Sequence, residues 1–169
     1  MDSGILVLRL VFGLLMAAHG SQKVFGWFGG HGLAGTGGFF ESLGFRPGRF
    51  FAAAAALGEI GSGLLVALGL LGPVGPALMV SVMIVGAVSV HASNGLFAVS
   101  NGIEMPLLYG VGAAALALAG FGAYSLDTLL GLTSLWTPAV SWGTLAAGIL
   151  GGFANLALRK KPAPASAVA

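Results

Sequence analysis

Long apolar stretches alternate along the chain with short polar or glycine-rich ones. Five apolar stretches, at about residues 4–26, 50–71, 73–91, 103–121 and 138–158, contain few charged side chains. Each is long enough to cross roughly 30 Å of hydrocarbon as a helix, because a chain in lipid must satisfy its backbone hydrogen bonds internally. The pattern therefore predicts an all-α transmembrane helical bundle of four core helices plus a fifth, C-terminal helix. A four-span bundle with a C-terminal surface helix is the alternative, since Trp142 and Asn155 lie near the ends of the fifth stretch.

The connections between these stretches differ in character. The sequence LGPVGP at 71–76 predicts a tight turn, which makes the second and third spans antiparallel neighbours. The loop at 29–48 contains LAGTGGFFESLGF, which reads either as a short amphipathic segment in the interface or as a flexible glycine loop. The segment SLDTLLGLTSLWTP at 125–138 is too short and broken to span, so we expect a re-entrant or surface hairpin. Residues 1–158 thus form a single bundle, and 159–169 are expected to be a disordered cytoplasmic tail.

Composition agrees with a membrane chain. Hydrophobic residues make up 57% and charged residues 7%, against roughly 25% charged in soluble domains. The chain has no cysteine, which excludes disulfides, thiolate metal sites and iron–sulfur clusters in this subunit. The net charge is only +2, and the basic run Arg159-Lys160-Lys161 is interpreted as a topology signal, so no nucleic-acid partner is expected.

The distribution of basic residues predicts one orientation. Lys and Arg accumulate on the cytoplasmic side, so the basic run places the C-terminus inside and, with five spans, the N-terminus outside. Arg46 and Arg49 then also lie inside. The first apolar stretch lacks a basic start and contains Arg9, so we expect it to remain as a span and not to be a cleaved signal peptide.

Several ionisable side chains occur inside the predicted spans. A charge at mid-bilayer costs at least about 2.5–3.5 kcal/mol, so each one needs a partner, an aqueous cavity or a neutral state. We expect these side chains to turn inward and meet one another. They are Arg9, His19 and Lys23 on the first span, Glu59 on the second, His91 on the third and Glu104 at the start of the fourth.

Each of these residues has a structural interpretation beside a functional one. Glu59 is expected to form an ion pair with Arg9 or to be a neutral buried acid. His19 is too deep to reach the headgroups and must hydrogen-bond inside the protein, as a structural contact or as a proton or ligand site. Lys23 could instead be an anchor that snorkels to the interface, and Glu104 a charge that favours a helix N-terminus.

Metals and haem fit this pattern poorly. A haem held by His19 and His91 would need both at one level, and a rise of 1.5 Å per residue separates them by about 7 Å. Zinc and di-iron sites need three or more clustered ligands, such as a Glu-x-x-His pair, and none occurs. Neither a metal nor haem is therefore expected.

The residues discussed so far carry a family likeness. The set Arg9, His19-Gly20, Lys23 and Phe25-Gly26, with Gly58-Glu59 ahead of a Leu-Gly-Leu-Leu turn, resembles the DoxX family over about residues 5–121. The resemblance implies a small bundle, usually of four spans, in the bacterial cytoplasmic membrane. It also implies a relationship to the membrane subunit of thiosulfate:quinone oxidoreductase and a link to redox homeostasis. The fifth apolar stretch departs from the family's usual pattern.

From these observations we expect a quinone-interacting subunit of an oxidoreductase or redox-homeostasis complex. His19, Lys23, Glu59, His91 and Glu104 are the candidate quinone or proton site, with Arg9 as the ion-pair partner of Glu59. The expected partners are the lipid bilayer and a soluble redox protein, and assembly into a homo-oligomer is compatible with this interpretation. The alternatives are a proton-coupled small-solute transporter, gated by Arg9 and Glu59, and a membrane scaffold for soluble redox enzymes.

Overall fold

The computed structural model describes residues 1–160, which are helical and contain no strand. This confirms the predicted all-α bundle. The predicted disordered tail falls largely on 161–169, which lie outside the described residues. The helices are α1 (Asp2–Phe25), α2 (Gly32–Ser42), α3 (Gly48–Leu68), α4 (Val74–Gly86), α5 (Glu104–Ala119), α6 (Leu126–Leu129) and α7 (Pro138–Ala157).

Five long helices run alternately up and down and define two ends of the bundle. The Asp2 end holds the starts of α1, α4 and α7 and the ends of α3 and α5, and the Trp27 end is the opposite one. By length and composition α1, α3, α4 with its extension to Asn94, and α7 are each able to cross a membrane. The C-terminal stretch therefore has the properties of a span and not of a surface helix. α5 has 16 residues, about 24 Å, and is shorter than the predicted 103–121.

Glycines let α1 and α3 pack backbone against backbone. A Cβ on Gly13 would lie 2.5 Å from the Gly63 carbonyl oxygen, and one on Gly20 would lie 2.6 Å from that of Ala56. Small residues permit such close approach where hydrophobic driving force between helices is weak. These two contacts set the antiparallel register of α1 against α3.

Short elements close the two ends. The 125–138 segment forms α6 and a 3-10 turn as a hairpin at the Asp2 end, and its buried Asp127 accepts hydrogen bonds from the amides of Leu71 and Gly72 at 2.9 and 2.6 Å. At the Trp27 end part of the glycine-rich loop forms the short helix α2, which packs on α3. Residues 159 and 160 also contact this region, because the Arg159 Nε donates to the Leu43 carbonyl.

The apolar core lies nearer the Asp2 end. Its buried members include Met16, Val66, Met79, Leu116 and Leu145. In α4 the buried residues stop at Val80, and the remainder, which continues as a π-helical turn over Ala87–His91, contains none. The Trp27 half of the bundle is consequently less tightly filled.

Candidate functional site

A cavity of about 730 Å³ occupies the Trp27 half of the bundle. It lies beside the loosely packed second half of α4 and is bounded by side chains of α1, α2, α3 and α5, with one contribution from α7. Most of its wall is apolar. The polar residues that line it are His19, Gln22, Lys23, His31, Thr36, Glu59, Ser81, Ser89, His91, Tyr109 and Asn155.

Lys23 and Glu59 form an ion pair in the wall of this cavity. The Lys23 Nζ lies 2.6 Å from Oε1 and 2.5 Å from Oε2 of Glu59, so one ammonium contacts both carboxylate oxygens. Glu59 is 5% exposed, whereas the Lys23 side chain is 26% exposed. Lys23 therefore turns inward to a partner, in contrast to the snorkelling alternative.

The predicted ion pair between Arg9 and Glu59 is wrong. The α1–α3 register brings Arg9 level with Val66 and Ala67, and these lie about two helical turns from Glu59. Lys23, two heptads after Arg9 on the same face of α1, reaches the carboxylate instead. Both basic residues face inward as predicted, but the helix register exchanges their partners.

Arg9 binds backbone carbonyls at the Asp2 end. Its guanidinium donates to Val66 at 3.1 Å, Ala67 at 3.0 Å, Phe121 at 2.6 Å and Tyr124 at 2.9 Å. It is 1% exposed, so its charge is held almost entirely by protein groups. Arg9 thereby joins the end of α3 to the segment after α5 and lies outside the cavity.

His19 lines the cavity one helical turn from Lys23. Its Nδ1 lies 3.1 Å from the Gln22 Oε1, and the Gln22 Nε2 donates to the Phe28 carbonyl at 3.1 Å. The ring meets Tyr109 of α5 edge-on, with 6.3 Å between ring centroids. His19 is exposed and not buried as expected, but it has a hydrogen-bond partner within the protein and borders the cavity.

Of the last two predicted site residues, His91 lines the cavity and Glu104 does not. His91 ends the π-helical turn, lines the cavity and places its Nδ1 2.8 Å from the Asn101 carbonyl oxygen. Glu104 does not line the cavity, since its Oε2 accepts a hydrogen bond from the Ala98 amide at 2.7 Å and closes the α4–α5 loop. Glu104 is the first residue of α5, which agrees with its interpretation as a charge at a helix N-terminus.

Sequence reasoning named four of the eleven polar residues that line the cavity and missed the other seven, among them Tyr109 and His31. Tyr109 lies five residues after Glu104 in an apolar helix, and its hydroxyl in a predicted span was a usable signal. His31 lies in the glycine-rich loop, where no periodicity indicates depth. Within residues 1–160 there is no group of three or more His, Asp or Glu side chains placed to hold a metal ion.

The comparison with known families agrees with this architecture. The DoxX family model matches residues 4–92, which is more than half of the chain and contains nearly all of α1 and the whole of α2, α3 and α4. Neither a curated protein nor a solved structure matches the sequence. With its four helices of membrane-spanning length and hydropathy, the chain is a multi-pass membrane protein that belongs to the DoxX family.

Proposed function

We propose that this DoxX protein binds a quinone in the cavity and serves as the quinone-interacting subunit of an oxidoreductase system. The observation that carries the proposal is an apolar cavity of about 730 Å³ that contains an ion pair and two hydrogen-bonded imidazoles. Sites for small ligands typically measure about 300–1,000 Å³ and combine apolar walls with a few placed polar groups. A quinone ring with part of its isoprenoid tail matches both properties.

Each part of the wall has a role in this proposal. The ring oxygens bind near His19, His91 and the Lys23–Glu59 pair, while apolar residues such as Met83 and Phe51 contact the ring faces and tail. Cysteine is absent from the chain, so thiol or iron–sulfur electron transfer has to come from elsewhere. A soluble redox partner or an additional cofactor is therefore part of the proposal.

The geometry favours this function over the two alternatives. The transport alternative depends on a gate between Arg9 and Glu59, but Arg9 is committed to four carbonyl oxygens and Glu59 to Lys23. A scaffold needs only an exposed binding surface. A scaffold would have no use for an internal cavity with an ion pair in its wall, because desolvating the two charges costs free energy.

Quinone binding can be tested through Trp27, which lies beside the cavity-lining Gly29 and Gly30. In a variant with Trp136→Phe and Trp142→Phe, Trp27 is the remaining tryptophan. Adding ubiquinone with a single isoprenoid unit to this protein in lipid nanodiscs should quench its fluorescence saturably.

Two matched substitutions locate the binding. Ala54→Phe, on the cavity wall, should abolish saturable quenching, whereas Ala146→Phe, on the exposed face of α7, should leave it unchanged. Absence of saturable quenching, or quenching that Ala54→Phe does not alter, would refute the proposal.

A further inference from the structure

The hydrogen bonds of His19 define which of its ring nitrogens carries the proton. The Gln22 amide nitrogen donates to the Phe28 carbonyl, so the Gln22 amide oxygen is the group that faces the His19 Nδ1. An amide oxygen only accepts hydrogen bonds, and Nδ1 must therefore be protonated. In the neutral ring this leaves Nε2 with a free lone pair.

His91 reaches the same state through a different partner. Its Nδ1 lies 2.8 Å from the Asn101 carbonyl oxygen, which likewise only accepts. The two imidazoles come from α1 and from the π-helical turn after α4, yet both line one cavity in the same tautomer. Neither Nε2 has a hydrogen-bond partner among residues 1–160.

The ion pair adds little donor capacity to this wall. The Lys23 ammonium directs itself at both oxygens of Glu59, and the carboxylate is itself an acceptor. The hydroxyls of Tyr109, Thr36 and Ser81 and the amide of Asn155 can each donate or accept, so they match either kind of ligand. The two histidine lone pairs are consequently unmatched acceptors, and a ligand that complements them must bring hydrogen-bond donors.

Quinones differ in this respect between their two redox forms. An oxidised quinone presents two carbonyl acceptors, whereas the corresponding hydroquinone presents two hydroxyl donors. We infer that the cavity binds a hydroquinone more tightly than the oxidised quinone, with Nε2 of His19 and His91 accepting from ring hydroxyls. This inference rests on the proposed function and specifies the form of the ligand that the site selects.

The test compares the dissociation constants of the two redox forms of one ligand. The wild-type protein in nanodiscs is titrated anaerobically with ubiquinone carrying one isoprenoid unit and, separately, with its hydroquinone. Two hydrogen bonds of about 1 kcal/mol each predict at least a tenfold preference for the hydroquinone. The preference of the wild-type protein decides the inference whether or not any variant folds.

Two histidine variants and a control then locate the preference. His19→Phe and His91→Phe should each lower the ratio of the two constants severalfold. Ala146→Phe, on the exposed face of α7 outside the cavity, should leave the ratio unchanged.

The possible failures are distinguishable. Saturable binding of both forms with equal affinity, or tighter binding of the oxidised form, would overturn this inference and leave the proposed function intact. Binding of neither form would overturn the proposed function and the inference together.

Discussion

Replacing Arg9 tests how the Asp2 end of the bundle is held together. The substitution Arg9→Met keeps an unbranched side chain of moderate size but removes all four donated hydrogen bonds. The carbonyl of Val66 retains a second donor, the Gly69 amide at 3.1 Å. The carbonyls of Ala67 and Phe121 lose a charged donor in buried surroundings, at a cost of about 1–3 kcal/mol each.

With the partial loss at Tyr124 and the loss of the favourable charge interaction between Arg9 and Asp127, we expect Arg9→Met to lower the free energy of unfolding by about 3–5 kcal/mol. Unfolding by sodium dodecyl sulfate in mixed micelles, followed by far-ultraviolet circular dichroism, measures this quantity. The free energy of unfolding of Arg9→Lys should lie between those of the wild-type protein and Arg9→Met, because one ammonium cannot reach all four carbonyls. Leu10→Met, at a half-exposed neighbouring position, is the control and should change stability by less than about 0.5 kcal/mol. A loss below about 1 kcal/mol for Arg9→Met would refute this account.

Three further predictions concern other parts of the molecule. Lys23→Met leaves the Glu59 carboxylate without its ion-pair partner and should lower the free energy of unfolding by about 2–3 kcal/mol. The double variant Lys23→Met with Glu59→Gln should regain much of this stability. Equal losses in the single and the double variant would show that the two side chains are not coupled. Gly63→Ala places a Cβ 2.5 Å from the Gly13 carbonyl oxygen of α1 and should lower the free energy of unfolding by about 1–3 kcal/mol. Gly61→Ala, on the same helix but facing open space, should change it little. Similar losses for the two variants would contradict the packing of α1 on α3. Val99 is an apolar side chain that is 96% exposed on the α4–α5 loop, so we expect it to contact lipid. A nitroxide attached at Val99→Cys, in a chain without other cysteines, should collide more often with oxygen than with a water-soluble nickel complex. The reverse order of collision rates would place the loop in water.

The ionisable residues illustrate how far sequence reasoning reaches. The cost of charge in lipid correctly predicted that Arg9, Lys23 and Glu59 turn inward, because this cost depends on residue type and depth alone. It could not predict which basic residue pairs with Glu59. That choice depends on the register set by the contacts of Gly13 with Gly63 and of Gly20 with Ala56, which join residues distant in sequence.

The face of α7 that packs on α4 is a second feature that the sequence alone does not identify. Small residues at Gly143, Ala147 and Gly151 are a plausible stripe, but Gly143 has open space around it. The face that meets α4 instead contains Gly148 and Gly152, with a Cβ on Gly152 lying 3.0 Å from the Ser81 carbonyl oxygen. In a helix so rich in small residues, several stripes satisfy the same spacing, and periodicity does not select among them.

The sequence by itself determined the helical architecture and the five apolar segments, because helix length and hydropathy in lipid are local properties of the chain. It also identified four of the residues that line the cavity: His19, Lys23, Glu59 and His91. The tertiary structure alone decided the partners of these residues, the exclusion of Glu104 and the existence of the cavity itself. The physical reason is that a void and an ion pair depend on how closely helices distant in sequence approach one another. Here that approach is set by glycine contacts at the α1–α3 interface and by the absence of buried residues in the second half of α4.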